Sequence, residues 1–369
     1  MRIIEKKNQQ KLGFDFPFNS PNPSLQLPFV TEDPLIGLPE EDQKYDLRGF
    51  EGRFIPFMSI YVVTSILLIY IPFMHMLYLD RMVQQKKIEV DRLLRQHQSP
   101  DDPLVMRMSY VASESRFNVT RSLKLLTDKD ELHQMSVLID LKRRSPTIPH
   151  KRNIVEYSSA ANFAELLTRA GADAFLVNTD ELEYGGKFSD LKECSQMARR
   201  VRPSLPPAII QKDIIIHPVQ IAQALEEGAV GVLLIVAVVG GDLEVLLDSC
   251  TIMGTEALVE VHTLNELEFA LSRGATMFIV NMWDRVTGKY FEEQAKGLAS
   301  MLPINSLALA AGNIYNMEQV AELGFYGYDG VVLGRGILDV PDIKDFIAQV
   351  HSFRGAPRGM GTGMKGIPF

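Results

Sequence analysis

The sequence is short of the residues that staple or clamp small folds. Its 369 residues include two cysteines and one tryptophan. Two thiols, Cys194 and Cys250, cannot supply a disulfide framework or a cysteine zinc site. A basic excess is also missing. Lys and Arg number 38 against 46 Asp and Glu, a net charge of -8. Nucleic-acid binders need a positive surface that displaces counterions from phosphates, so nucleic acid is excluded as a partner. The sharpest local absence is of charge: from Phe54 to Leu79 there is no acidic residue, lysine or arginine.

That run covers about 26 residues and, as a helix, spans roughly 39 Å, enough for a ~30 Å hydrocarbon core with some tilt. Pro56 suits a first helical turn, and Pro72 predicts a kink that bilayer helices tolerate. The run reads as a transmembrane helix over 54–79, with the lipid bilayer as a partner. His75 lies near its end as an interfacial histidine or a ligand for a pigment or haem. The run starts too late and is too long for a secretory signal. Lys44, Arg48 and Arg53 precede it, while Arg81, Lys86, Lys87, Arg92 and Arg95 follow. Positive-inside counting therefore puts the long C-terminal part on the stromal or matrix side.

Around the span the sequence divides by composition. Residues 1–53 are Pro-, Asp- and Asn-rich without a stable period and read as an extended arm. Residues 80–103 read as a charged linker helix with a partial apolar stripe at Met82, Val83, Ile88, Leu93 and Leu94, ended by Pro100-Asp101-Asp102-Pro103. Residues 354–369 are a Gly/Pro-rich tail suited to a partner surface.

Between 104 and 353 a pattern repeats. Short apolar runs begin at Val137, Ala174, Ala208, Gly231, Ala257, Met277, Leu307 and Gly330. Helical stretches such as Phe163–Ala170, Pro218–Glu227, Leu264–Arg273 and Met317–Leu323 lie between them, several with a terminal glycine (Gly171, Gly228, Gly274, Gly324). Eight strands alternating with helices predict an α/β fold, a (β/α)8 TIM barrel, rather than a doubly wound sheet. In such a barrel the chemistry sits at the C-terminal strand ends. Those positions hold Asp140, Lys142 and Ser145, then Lys212, Glu260, Asn281, Gly312, and Gly334-Arg335-Gly336. Two lysines with a glutamate and an asparagine suit acid–base work on an anionic substrate. Glycines after the last two strands free backbone N–H groups for a phosphate.

The stretches Asp140–Pro146 (DLKRRSP), Gln211–Ile214 (QKDI), Leu258–His262 (LVEVH), Val280–Thr287 (VNMWDRVT) and Val331–Leu338 (VVLGRGIL) resemble the indole-3-glycerol-phosphate synthase family, and Arg107–Ser113 resembles the N-terminal extension of its plant and cyanobacterial members. The resemblance implies a metal-free, cofactor-free ring closure of 1-(o-carboxyphenylamino)-1-deoxyribulose 5-phosphate with loss of CO₂ and water. It implies Lys212 as general acid, Lys142 as partner of the anionic substrate, Glu260 as base in the dehydration, and Asn281 as a hydroxyl ligand. Against the family pattern, Asp140 stands for a glutamate and Trp283 for an arginine. Ala310 and Ala311 stand for a glutamate and a serine, and Arg335-Gly336 covers a phosphate-site serine. These departures, with the span and two extensions, favour a membrane-anchored pseudoenzyme serving as a subunit of a larger membrane complex. The alternatives are an active tethered synthase and a sensor of a phosphorylated sugar. The family's usual setting makes a plastid (thylakoid) membrane the first expectation and the mitochondrial inner membrane the second.

Overall fold

The computed structural model describes residues 78–112, 118–123, 133–145, 159–356 and 358. The chain divides into two compact units, Met1–Ile69 and Tyr70–Phe369, and all described residues belong to the second. The expected arm, residues 54–77 of the apolar run with His75, and the tail beyond 358 lie outside the described residues. Among the described residues no helix is long and apolar enough to cross a membrane.

Eight parallel strands close into a barrel. They are β1 (Ser136–Leu141), β2 (Ala174–Asn178), β3 (Ala208–Lys212), β4 (Gly231–Ile235), β5 (Glu256–Val261), β6 (Met277–Asn281), β7 (Leu307–Ala311) and β8 (Gly330–Leu333). Each pairs with its sequence neighbours, and β8 closes on β1 through Val137↔Val331 and Leu138↔Val332. The runs seen in the sequence are therefore the strands, most extended by a residue or two.

Side chains alternate across a strand with a period of two, which gives a closed barrel two apolar layers. Leu138, Leu176, Ile210, Leu258, Ile279 and Leu309 fill the interior, while Val137, Phe175, Val259, Phe278 and Ala310 face the helices. Helices follow the strands in turn: Ala160–Ala170, Ser189–Val201, Pro218–Glu226, Leu243–Ile252, Leu264–Ser272, Gln294–Ala299, Met317–Phe325 and Ile343–Ser352. Gly171, Gly228 and Gly274 adopt positive φ at or just beyond helix ends, as their positions predict. Gly324 does not stop its helix; it lies inside Met317–Phe325, where a Cβ would come within 2.8 Å of Met135 Sδ, and the positive φ falls at Gly327.

The linker helix is a structural part of the barrel. Residues 78–96 are helical and bury Leu79, Met82 and Val90. The expected stripe is corrected at one position: Ile88 is 56% exposed, and Lys86 is turned inward at 5%. Helical spacing explains this, because 82, 86 and 90 share a face at i, i+4. The helix Pro103–Ser109 follows, capped by the Asp102 carboxylate, which accepts from Leu104 N at 2.9 Å. The tail boundary also moves. Arg354–Gly355 pairs antiparallel with His133–Gln134, and Arg358 is buried under the barrel.

Candidate active site

The C-terminal strand ends open into a cleft of about 230 Å³. The strand period places it. Asp140, Lys212, Glu260 and Asn281 each lie two residues beyond an interior Leu or Ile, so each has the same inward orientation one layer higher. An apolar floor (Leu176, Ile279, Val332) thus carries a polar ring. Lys142, Ser145, Gly312, Gly334, Arg335 and Gly336 line the same cleft, so these sequence candidates are brought together. Ala311 lines it too, whereas Ala310, one residue earlier, points outward into the helix layer and is not a site position.

Asp140 organises one wall. Its Oδ2 accepts from Lys142 Nζ at 2.7 Å and pairs with Lys212 Nζ at 3.0 Å. Its Oδ1 is buried without a hydrogen-bond partner. Burial alone pushes its pKa up, but the two ammonium charges overcome that and hold it well below the usual carboxylate range. Burial lowers the pKa of Lys212 against the opposing pull of Asp140, which makes it a readier proton donor than a solvated lysine.

Glu260 organises the opposite wall. Arg285 Nε donates to its Oε1 at 2.5 Å and Arg285 Nη2 to its Oε2 at 3.1 Å, a two-point clamp. His262 Nε2 lies 3.1 Å from the same Oε1, and His262 Nδ1 lies 2.9 Å from Glu266 Oε2, which also accepts the His262 backbone N–H at 2.7 Å. Burial alone would lower the pKa of His262, but its two carboxylate neighbours lift it to about 9, so both ring nitrogens donate. Burial would raise Glu260, yet Arg285 and His262 hold it well below its ordinary value.

A cation does line the cleft two residues beyond Trp283. Arg285 enters the cleft and also donates from Nη1 to Tyr184 Oη at 2.8 Å. Trp283 lines the rim and packs against Tyr290, ring centroids 5.3 Å apart. Asn281 Oδ1 accepts from Trp283 N–H at 3.1 Å, shaping this turn. Beyond β8, Gly334 has no heavy atom within 4 Å of a would-be Cβ, while a Cβ on Gly336 would meet Ile314 O at 2.8 Å. Glycine there leaves room and allows close backbone approach. Arg335 is exposed at the edge.

Sequence reasoning missed several members of the site. Tyr78, Leu79 and Met82 cover the cleft from the N-terminal helix, although 78–79 read as the end of a bilayer span. Tyr184 and Arg285 come from loops, which no strand periodicity marks. His262 was visible, since it alternates with Glu260 in the LVEVH stretch, but its contact with Glu266 depends on the following helix turn.

The family model described as indole-3-glycerol phosphate synthase matches residues 79–350. The chain belongs to the indole-3-glycerol phosphate synthase family. An indole-3-glycerol phosphate synthase from Opitutus terrae is 32% identical over 219 residues, covering 59% of this chain and 80% of that protein. One from Roseiflexus sp. is 29% identical over 276 residues, covering 74% of this chain and 97% of the relative. Among solved structures, the 3-hexulose-6-phosphate synthase from Salmonella typhimurium is similar with a TM-score of 0.45 at 13% identity, over 59% of this chain and 97% of that one. The family match begins at the helix that covers the cleft and includes every charged group of both walls.

Proposed function

We propose that the cleft binds 1-(o-carboxyphenylamino)-1-deoxyribulose 5-phosphate and closes it to indole-3-glycerol phosphate, releasing CO₂ and water. The observation that carries this reading is the Asp140–Lys142–Lys212 cluster at the mouth of the barrel. Lys212 protonates the ketose carbonyl oxygen as the aryl carbon attacks, and its lowered pKa suits that task. Lys142, with 20% of its side chain exposed, meets the anionic substrate, and Asp140 holds both ammonium groups in place. After CO₂ leaves, Glu260 takes the proton whose loss, with departure of the hydroxyl, makes the ring aromatic. Gly312, Gly334 and Gly336 with Arg335 receive the phosphate.

A second reading is favoured by the clamp on Glu260 and by Ala311, which offers the cleft no polar group. In it the barrel binds phosphorylated ligands with little turnover, as a sensor or as a subunit of a membrane complex. Membrane-protein partners belong to this reading, whereas anchorage through residues 54–79 and a plastid setting go with either, and all of them stand on the sequence alone. One experiment separates the two. Purified full-length chain is assayed for indole-3-glycerol phosphate, with Lys212→Ala beside it. The synthase reading expects product from the native chain and a loss of about 10²–10⁴-fold in the variant. Equal, background-level product from both rejects it.

A further inference from the structure

A carboxylate held by cations is a weaker base than a free one. In this structure both oxygens of Glu260 are engaged, and two of the three contacts come from Arg285. The two cations that hold Glu260 differ in how they are anchored. His262 is fixed from behind, with its ring and its backbone N–H both on Glu266, so it stays on Glu260 whatever enters the cleft. Arg285 has no such carboxylate behind it among the described residues and is positioned through its backbone turn. Asp284 Oδ1 accepts from Val286 N at 2.7 Å and Thr287 N at 3.0 Å, and Trp283 bridges to Tyr290, which makes a firm turn. From that turn the long side chain reaches into the cleft, 15% exposed, and its remaining contact is the Tyr184 hydroxyl.

Glu260 occupies the Nε/Nη2 edge of the Arg285 guanidinium, and Tyr184 takes a donor from Nη1. A ligand carboxylate gains that Nε/Nη2 edge only by taking the place of Glu260. We propose that Arg285 is the receptor for the substrate's carboxylate in this chain, and that in the empty protein it is parked on Glu260. Entry of the substrate exchanges one carboxylate for the other and frees the base only when there is something to deprotonate. Trp283 no longer marks a lost cation; the cation is delivered from position 285 instead. This inference rests on the substrate reading given above.

The test is equilibrium binding to the full chain of two analogues that cannot cyclise. One is 1-(o-carboxyphenylamino)-1-deoxyribitol 5-phosphate, in which the carbonyl is an alcohol; the other lacks its carboxylate. In the native chain the carboxylate is expected to tighten binding by about tenfold or more, the size of a charge-assisted pair. In Arg285→Gln that advantage falls below about twofold, and Arg285→Lys, which keeps the charge without the fork, lies between. Glu260→Gln removes the competing anion, so the carboxylate advantage grows while the analogue without it binds as before. An unchanged advantage in Arg285→Gln, or a smaller one in Glu260→Gln, overturns the inference and leaves the substrate reading standing. Failure of both analogues to bind the native chain overturns both.

Discussion

The two ends of the barrel both bury charge, and they use it differently. At the floor, Asp173 Oδ2 accepts from Val137 N at 2.9 Å and meets His351 Nε2 at 2.8 Å. Asp329 Oδ2 accepts from Ala308 N and from Arg358 Nη1, both at 2.7 Å. Arg358 spends its other donors on the carbonyls of Pro303, Ile304, Ser306 and Gly327. Floor charges are thus tied to backbone and lock strand ends and chain terminus together. At the mouth, Asp140 with its lysines and Glu260 with Arg285 are tied side chain to side chain. A bound ligand can replace such partners, whereas it cannot replace a strand's own backbone. The same chemistry gives stability at one end and a binding site at the other.

Substitutions that cross this divide test it. The largest effect on folding is expected from Arg358→Ala. It strips Asp329 of its buried cation and leaves several carbonyls unpaired, a loss of about 3–5 kcal/mol in urea unfolding. Ligand affinity in the molecules that remain folded should be unchanged; a selective loss of affinity would break the comparison. Lys86→Met comes next. Lys86 Nζ pairs with Asp213 at 2.8 Å and Glu89 at 2.7 Å and lies 3.7 Å from Asp180, joining the covering helix to the loops beside Lys212 and Tyr184. We expect a loss of about 3 kcal/mol together with weaker ligand binding, because this buried cluster is tied side chain to side chain and sits at the mouth. Lost stability with intact binding would assign it to scaffold alone.

The smallest effect is a pH dependence. The folded pKa of His262 is raised from 6.5 to about 9, so its contribution is complete below about pH 6.5 and is lost as pH rises through 9. Native stability should fall over that window, and His262→Gln should not show the fall. Parallel stability–pH curves for the two proteins would remove His262 from the set of charged groups at the mouth.

Much of this was readable in the linear order of residues. Eight apolar runs with helices between them predict the barrel because a parallel strand buried on both faces needs such a run and a crossover. Strand-end positions then select Asp140, Lys142, Lys212, Glu260 and Asn281, since the period of two fixes which residues point inward. The same period, applied to Leu307–Ala311, turns Ala311 inward and Ala310 outward. Loop contributions were not readable. Arg285 reaches Glu260 across 25 positions and Tyr184 reaches Arg285 across 101, and no local pattern encodes contacts at those separations.

Sequence alone therefore determined the barrel and its inward residues, because these depend on the period of the apolar pattern. Tertiary structure decided the partnerships. It turned Lys86 inward, buried Arg358 beneath the floor and set Arg285 on Glu260, because a buried charge takes its position from the opposite charge that folding brings to it.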